Sequence, residues 1–137
     1  LPRQRKEERA IRDKAMEYLD FLNITDLAEA EAVSLAFGQQ RAVEMARALA
    51  AEPRLLLLDE PAAGLNIYET AELGRLINRI RETGITILLV EHDMSLVMEI
   101  CDEIVVLNSG QKLAEGSPLQ IQNNPEVIAV YLGEEDV

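Results

Sequence analysis

The chain alternates between segments with helical hydrophobic spacing and short, continuous apolar runs. Apolar residues recur at intervals of three and four over residues 1–22, 39–51 and 66–84, which predicts three helices. Continuous apolar runs at 54–59 and 85–90 are typical of strands covered on both faces, as in a parallel sheet. A strand, a helix and a second strand at this spacing predict a right-handed βαβ unit, so the predicted fold class is α/β.

Capping signals predict where several of the other elements begin. Asp26 followed by Glu29 predicts a short capped helix after a break at Asn23, and Asn66 followed by Glu69 predicts the start of the third long helix. Gly84 stands at the C-terminal cap position expected for that helix. Further helix starts are predicted at Asp93, Ser117 and Asn124. A hairpin is predicted over 103–115, and an acidic, loose tail over 133–137.

Composition narrows the possible classes of function. The formal net charge of -12 argues against a nucleic-acid surface, which is normally basic. No apolar run reaches the roughly 18 residues that span a membrane. The single cysteine, Cys101, cannot form an internal disulfide and follows an apolar pattern, so we expect a small buried hydrophobic residue in a reducing compartment.

Acidic residues follow both predicted strands. Asp59 and Glu60 end the first apolar run, and Glu91 and His92 end the second. Ligands of parallel sheets bind beyond the carboxyl ends of the strands, so Asp59, Glu60 and His92 are expected to converge on one crevice. One carboxylate can hold Mg²⁺ while another takes a proton from an attacking water, and the imidazole can donate a hydrogen bond to a phosphoryl oxygen.

Four motifs, taken in order, resemble those of the ATP-binding subunits of ABC transporters. Leu35–Gln39 resembles the signature loop, and Leu55–Glu60 matches the Walker B strand with its following glutamate. Ala63–Asn66 resembles the D-loop, and His92 falls at the switch histidine. The resemblance covers nearly the whole chain and implies a P-loop NTPase-type ABC ATPase domain.

Several runs resemble the ATPases of branched-chain amino-acid importers more narrowly. They include the Leu-Ala-aromatic-Gly-Gln-Gln-Arg run, residues 61–66, residues 91–94 and the ending over 124–133. Three positions depart from the wider family. Ala36 stands where many relatives carry Ser, Asn66 replaces the usual D-loop Asp, and Ile67 stands where relatives of this subfamily tend to have Pro.

The resemblance also implies a role for each site residue, with ATP lying between two ATPase domains. Asp59 would support Mg²⁺, Glu60 would polarise the attacking water, and His92 would contact the γ-phosphate. Asn66 would lie at the dimer seam. The signature residues would touch the γ-phosphate of ATP held mainly by the other domain; they are Ala36, Phe37, Gly38 and Gln39.

The expected partners and location follow from the same resemblance. They are a second ATPase subunit, as a homodimer or heterodimer, and transmembrane permease subunits, with a solute-binding protein outside the membrane as an indirect partner. No nucleic acid is expected. The expected location is cytoplasmic, on the inner face of the cell membrane. Amino acids follow from the subfamily resemblance alone, and other solutes, including exported lipid, stay open.

The 137 residues contain no Gly-x-x-x-x-Gly-Lys-Ser/Thr motif, and none of Lys6, Lys14 and Lys112 follows a glycine. The cradle that holds the ATP phosphates is therefore absent from this sequence. We hypothesise that the chain is the C-terminal portion of one ABC ATPase domain, inactive alone and prone to self-association. Residues 1–37 would end the helical subdomain and form the signature turn, 38–116 would form the catalytic core, and 117–137 would form C-terminal helices and a tail.

Two other readings stay open at this stage. The first is a soluble ATPase of the same superfamily that acts in DNA repair or translation, although such proteins usually carry long insertions or two domains. The second is a non-enzymatic remnant or interaction module, if the natural chain starts at Leu1. The sequence upstream would discriminate these readings.

Overall fold

The computed structural model describes residues 2–132, which form two compact units, 2–90 and 91–132, considered separately below. In the first unit, α1 spans Pro2–Phe21, α2 spans Phe37–Leu49 and α3 spans Ile67–Glu82. Strands β1 (Leu55–Asp59) and β2 (Thr86–Val90) flank α3 in sequence. The predicted tail over 133–137 lies outside the described residues.

Strands β1 and β2 pair in parallel, with Leu55 opposite Thr86 and Asp59 opposite Val90. The strand–helix–strand order of β1, α3 and β2 confirms the predicted α/β class. The expectation that both faces of the strands are covered is wrong for the described residues. Leu56 is buried, whereas Leu57 and Leu88, a cross-strand pair on the other face, are 65% and 59% exposed.

Helix α3 begins and ends where the sequence predicts. Asn66 Oδ1 accepts hydrogen bonds from the backbone N–H groups of Tyr68 and Glu69, at 2.9 and 3.0 Å. Gly84 follows the last turn with a φ of +95°, a conformation that glycine adopts without steric cost. The buried stripe of the helix comprises Leu73, Gly74, Ile77 and Ile80.

Residues 2–34 include one little-buried helix and one segment where the prediction was wrong. The apolar stripe of α1 is only weakly covered: no residue of the helix is buried, and Ile11 is 71% exposed. The helix predicted to start at Asp26 is instead a single 3-10 turn, Thr25–Leu27, with Asp26 inside it, and a second 3-10 turn spans Ala32–Ser34. This short segment has no apolar stripe to bury, so nothing extends either turn into a helix.

The second unit contains α4 (Met94–Ile100), the antiparallel strands β3 (Ile104–Asn108) and β4 (Gln111–Gly116), and two short helices. The helices are α5 (Pro118–Gln122) and α6 (Pro125–Val127), followed by a π-helical turn over Ile128–Leu132. Ser109 and Gly110 both have positive φ in the two-residue hairpin turn, as a type I′ turn requires. The core of this unit is aliphatic, comprising Val97, Ile104, Val106, Ile121 and Val127, with Cys101 packed against it.

Candidate functional site

The carboxyl end of the parallel sheet carries the first pair of predicted site residues. Asp59 is the last residue of β1 and pairs with Val90, the last residue of β2. The backbone N–H of Glu60 donates a 2.8 Å hydrogen bond to the Val90 carbonyl oxygen, which extends the ladder by one residue. Asp59 and Glu60 are both exposed, so their carboxylates are accessible beyond this edge.

Glu60 has an unusual backbone conformation. Its φ is +46°, in the left-handed region that residues with a Cβ seldom occupy. Such a conformation costs on the order of 1 kcal/mol and persists only where the surroundings hold it. Here the Val90 carbonyl holds the Glu60 amide, and the Glu60 carbonyl accepts from the N–H of Ala63 at 3.1 Å. A strained acidic residue at a strand end is typical of a functional position.

Glu91 is a site residue that sequence reasoning did not single out from its neighbours. Its side chain is only 1% exposed, while that of His92 is 72% exposed. Glu91 Oε2 accepts from the backbone N–H groups of His92 and Asp93, at 3.0 and 3.3 Å, and lies 4.0 Å from His92 Nδ1. An acidic residue directly after an apolar strand and before a helix cap was the available signal.

Asp93 completes the turn that carries His92. Its Oδ1 accepts from the N–H of Leu96 at 3.0 Å, which confirms the predicted start of α4. Two carboxylates therefore hold the backbone on both sides of an exposed imidazole. Asp59 and Glu60 belong to the first unit and His92 to the second. Their convergence on one crevice stays a prediction.

The signature turn leads into α2 earlier than expected, because Phe37 and Gly38 already lie within the helix. Ala36 is the extended N-cap residue and has no side-chain acceptor, so no side-chain cap covers the first amides of α2. Gln39 Oε1 accepts from the Ala36 N–H at 3.0 Å. An N-terminus of this kind favours an anion, because its N–H groups and the helix dipole both attract negative charge.

Gln40 is a second residue that the sequence analysis did not identify. Its Nε2 donates to the carbonyl oxygens of Ala32 and Leu35, both at 3.2 Å. These bonds tie the chain before the signature turn to the first turn of α2. In the sequence, Gln40 is only the second residue of a Gln-Gln pair, and this pattern does not predict which carbonyl groups its side chain contacts.

The structure brings the signature turn close to the Asn66 loop. Glu69 Oε2 accepts from the Asn66 N–H at 2.9 Å, completing the predicted capping box. Glu69 Oε1 lies 3.4 Å from the position that a Cβ on Gly38 would occupy. One carboxylate thus accepts from Asn66 of the D-loop segment and lies beside Gly38 of the signature turn.

These residues fit the groups that the resemblance implies. Carboxylate oxygens, such as those of Asp59, are the ligands that Mg²⁺ prefers, and the N-terminus of α2 suits a phosphate. Within residues 2–132, no three His, Cys, Asp or Glu side chains form a group that could hold a metal ion.

Over the same residues, no helix is both long enough and apolar enough to cross a membrane.

Two family models match parts of the chain. A model described as ABC transporter matches residues 1–63, and one described as branched-chain amino acid ATP-binding cassette transporter matches residues 111–137. Together they cover the signature turn, the Walker B strand and the C-terminal segment.

Curated relatives match almost the whole chain. The high-affinity branched-chain amino acid transport ATP-binding protein BraF of Pseudomonas aeruginosa is 52% identical over 134 residues, covering 97% of this chain and 52% of the relative. The corresponding protein LivG of Escherichia coli is 48% identical over the same length and coverage. The chain therefore spans about half the length of the curated relatives it matches.

A solved structure has the same fold. The ADP conformation of an ATP-binding cassette of an ABC transporter matches with a TM-score of 0.83 and 31% sequence identity. The match covers 91% of this chain and 51% of the solved one.

Proposed function

We propose that the chain belongs to the ABC transporter family of ATP-binding proteins and forms part of an ATP-hydrolysing subunit of a membrane transporter. The observation that carries the proposal is the pair Asp59–Glu60 at the carboxyl end of β1. Glu60 there adopts a left-handed conformation fixed by the Val90 carbonyl. This edge is where parallel sheets bind their ligands.

Each site residue has a role in this proposal. ATP bound with Mg²⁺ supplies the γ-phosphoryl group that is transferred to water. Asp59 would hold the metal through its carboxylate, and Glu60 would orient the attacking water and accept its proton. His92, on the turn braced by Glu91 and Asp93, would donate a hydrogen bond to a γ-phosphate oxygen.

The signature turn would act on a second nucleotide. Ala36, Phe37, Gly38 and Gln39 would contact the γ-phosphate of ATP held mainly by a neighbouring ATPase subunit. The uncapped N-terminus of α2 and the small residues Ala36 and Gly38, which let a phosphate approach the backbone, support this role. Asn66 would lie at the seam between the two subunits, where its side chain also caps α3.

In this proposal the chain is the C-terminal portion of one ATPase domain. Support comes from its span, about half of each relative, and from the lack of a phosphate-cradling motif in its 137 residues. The boundaries proposed from the sequence are kept: 1–37 for the end of the helical subdomain and the signature turn, 38–116 for the catalytic core, and 117–137 for the C-terminal helices and tail.

The solute and the partners belong to the whole transporter. The names of two relatives, BraF and LivG, refer to branched-chain amino acid transport, and we propose the same solute class here. The partners would be a second ATPase subunit and membrane permease subunits on the cytoplasmic side, with a solute-binding protein acting indirectly. ATP-driven closure of the two ATPase subunits would be coupled to movement of the permease.

The test is Glu60→Gln in the ATPase that contains this chain, assayed for Mg²⁺-dependent ATP hydrolysis. The amide cannot accept the proton from water, so turnover is expected to fall by about 100-fold or more, in the range for removal of a general base. The matched control is Glu99→Gln, at an exposed position on α4, for which turnover should stay unchanged. Equal turnover by the Glu60→Gln protein and the unaltered protein would reject the proposal.

A further inference from the structure

The aromatic ring of Phe37 fills a space beside Gly64 that no other side chain could share. Ring atom Cε1 of Phe37 lies 2.9 Å from the position that a Cβ on residue 64 would occupy. Real Cβ atoms do not approach other heavy atoms this closely, so a side chain at 64 must displace the ring. Gly64 also has a φ of +80°, which disfavours residues with a Cβ.

The two residues belong to different loops. Phe37 is the first helical residue of the signature turn, and Gly64 lies in the turn between β1 and the Asn66 cap of α3. The carboxylate of Glu69 joins the same two loops a second time, through Asn66 and beside Gly38. The signature turn and the Gly64–Asn66 loop are therefore held together at two points.

The ring is accessible on part of its surface, with 47% of Phe37 exposed. The guanidinium of Arg41 lies 5.0 Å from the ring centroid, within the range of a cation–π interaction. Arg41 Nη1 also donates to Glu44 Oε2 at 2.8 Å. Arg41, which is also on α2, therefore helps to orient the Phe37 ring, and the ring lies against Gly64, which is outside α2.

We propose that the Phe37–Gly64 contact couples the signature turn to the Asn66 loop, so that both reach a neighbouring subunit as one body, with Gly64 as a positioning residue. The proposal rests on the function proposed above. When the contact is lost, the signature turn can shift relative to the seam. More ATP is then needed to reach half-maximal rate, while the rate at saturation changes little because Asp59 and Glu60 are untouched.

Gly64→Asn tests the contact, because asparagine adds a Cβ yet tolerates positive φ better than most residues. The half-saturating ATP concentration is expected to rise by about 5-fold, with the saturating rate within about 2-fold of that of the unaltered protein. Gly110→Asn is the matched control. Its φ is +77°, close to that of Gly64, but a Cβ there meets nothing within 4 Å. Gly110→Asn should leave both constants unchanged.

A double-mutant cycle separates coupling from direct contact with ATP. Phe37→Ala removes the ring, together with any contact that the ring makes to nucleotide. With the ring gone, adding Gly64→Asn has nothing to displace and should raise the half-saturating concentration no further. Coupling between residues in contact amounts to at least about 2-fold. Effects that simply multiply in the double variant would overturn the proposal.

A spectroscopic measurement is independent of turnover. With 4-fluorophenylalanine in the protein, the resonance of Phe37 is the one missing from the Phe37→Ala spectrum. Gly64→Asn should shift that resonance and Gly110→Asn should not. The resonance of Phe21, whose ring lies 4.8 Å from the Arg79 guanidinium, should stay unchanged as a check on folding. An unshifted Phe37 signal in the Gly64→Asn protein would contradict the contact.

Failure of this proposal can be told apart from failure of the proposed function. If Glu60→Gln abolishes turnover but the cycle shows independent effects, only the coupling is rejected. If Glu60→Gln leaves turnover intact, the proposed function itself is rejected, while the fluorine measurement still decides whether the Phe37–Gly64 contact exists.

Discussion

Asn66 performs a structural role whatever its position in an assembled transporter. Its side-chain oxygen accepts hydrogen bonds from two backbone N–H groups, and the Asn66 N–H donates in return to the Glu69 carboxylate. The first four backbone N–H groups of a helix lack intrahelical acceptors, and this capping box supplies acceptors at the start of α3. The substitution of Asn for the family's usual Asp therefore keeps the cap while removing a negative charge.

Asn66→Ala is expected to lower the free energy of unfolding by about 1 kcal/mol, the usual cost of losing a helix cap. Asn66→Asp is the matched control, because it keeps an acceptor at the same position and should retain the stability. Urea denaturation measures both. Equal stability for Asn66→Ala and the unaltered chain would show that the cap contributes nothing.

The sequence predicted these caps because each one involves residues within three positions of one another. Asn66, Asp93 and Ser117 all accept from the backbone N–H three residues on, as expected. Glu91 and Gln40 were missed for the opposite reason. Glu91 is buried only because of how the chain folds around it. Gln40 donates to the carbonyl of Ala32, eight residues earlier, and that contact also depends on the fold.

At the scale of elements, α3 joins β1 to β2 and contributes a buried stripe. Ile80 is 0% exposed, whereas Ile67, in the first turn of the same helix, is 80% exposed. The two isoleucines lie on the same helix and differ in burial, so the same substitution at each tests how much burial contributes to stability.

Ile80→Ala is expected to lower the free energy of unfolding by roughly 2–5 kcal/mol, since it removes buried methylene groups and leaves a cavity. Ile67→Ala should change it by less than about 0.5 kcal/mol, as is usual for exposed positions. Urea denaturation of the two variants provides the comparison. Similar losses at the two positions would contradict the burial described for α3.

The parallel strands show where an apolar pattern has limits as a predictor. Both runs contain consecutive apolar residues without alternation, and the pattern correctly indicated strands in a parallel sheet. The pattern also indicated cover on both faces. Whether a sheet face is covered depends on residues elsewhere in the fold. The described part of the chain leaves one face exposed, at Leu55, Leu57, Leu88 and Val90.

At the scale of the whole molecule, this exposed sheet face has a physical consequence. Four large aliphatic side chains, each more than half exposed, form one face of a two-stranded sheet with unpaired edges. Apolar faces and open edges of this kind favour association.

The 137-residue chain on its own is therefore expected to self-associate, and Leu57→Lys with Leu88→Lys should shift it towards monomer. Charges introduced on the sheet face oppose its burial against another surface. Ile11→Lys is the control, because Ile11 is 71% exposed and belongs to α1 rather than to either strand, and should leave association unchanged. Light scattering over a range of concentrations reports the mass. A monodisperse monomer of the unaltered chain would contradict the expectation.

In the proposed function, the chain supplies the Walker B carboxylates and the signature turn of an ATPase, and other sequence supplies the phosphate cradle. The most direct measurement is Mg²⁺-dependent ATP hydrolysis by the 137 residues alone and by the same residues joined to the half of a relative that they do not match. We predict no turnover alone, turnover when joined, and its loss with Glu60→Gln. Turnover by the 137 residues alone that Glu60→Gln abolishes would contradict the account.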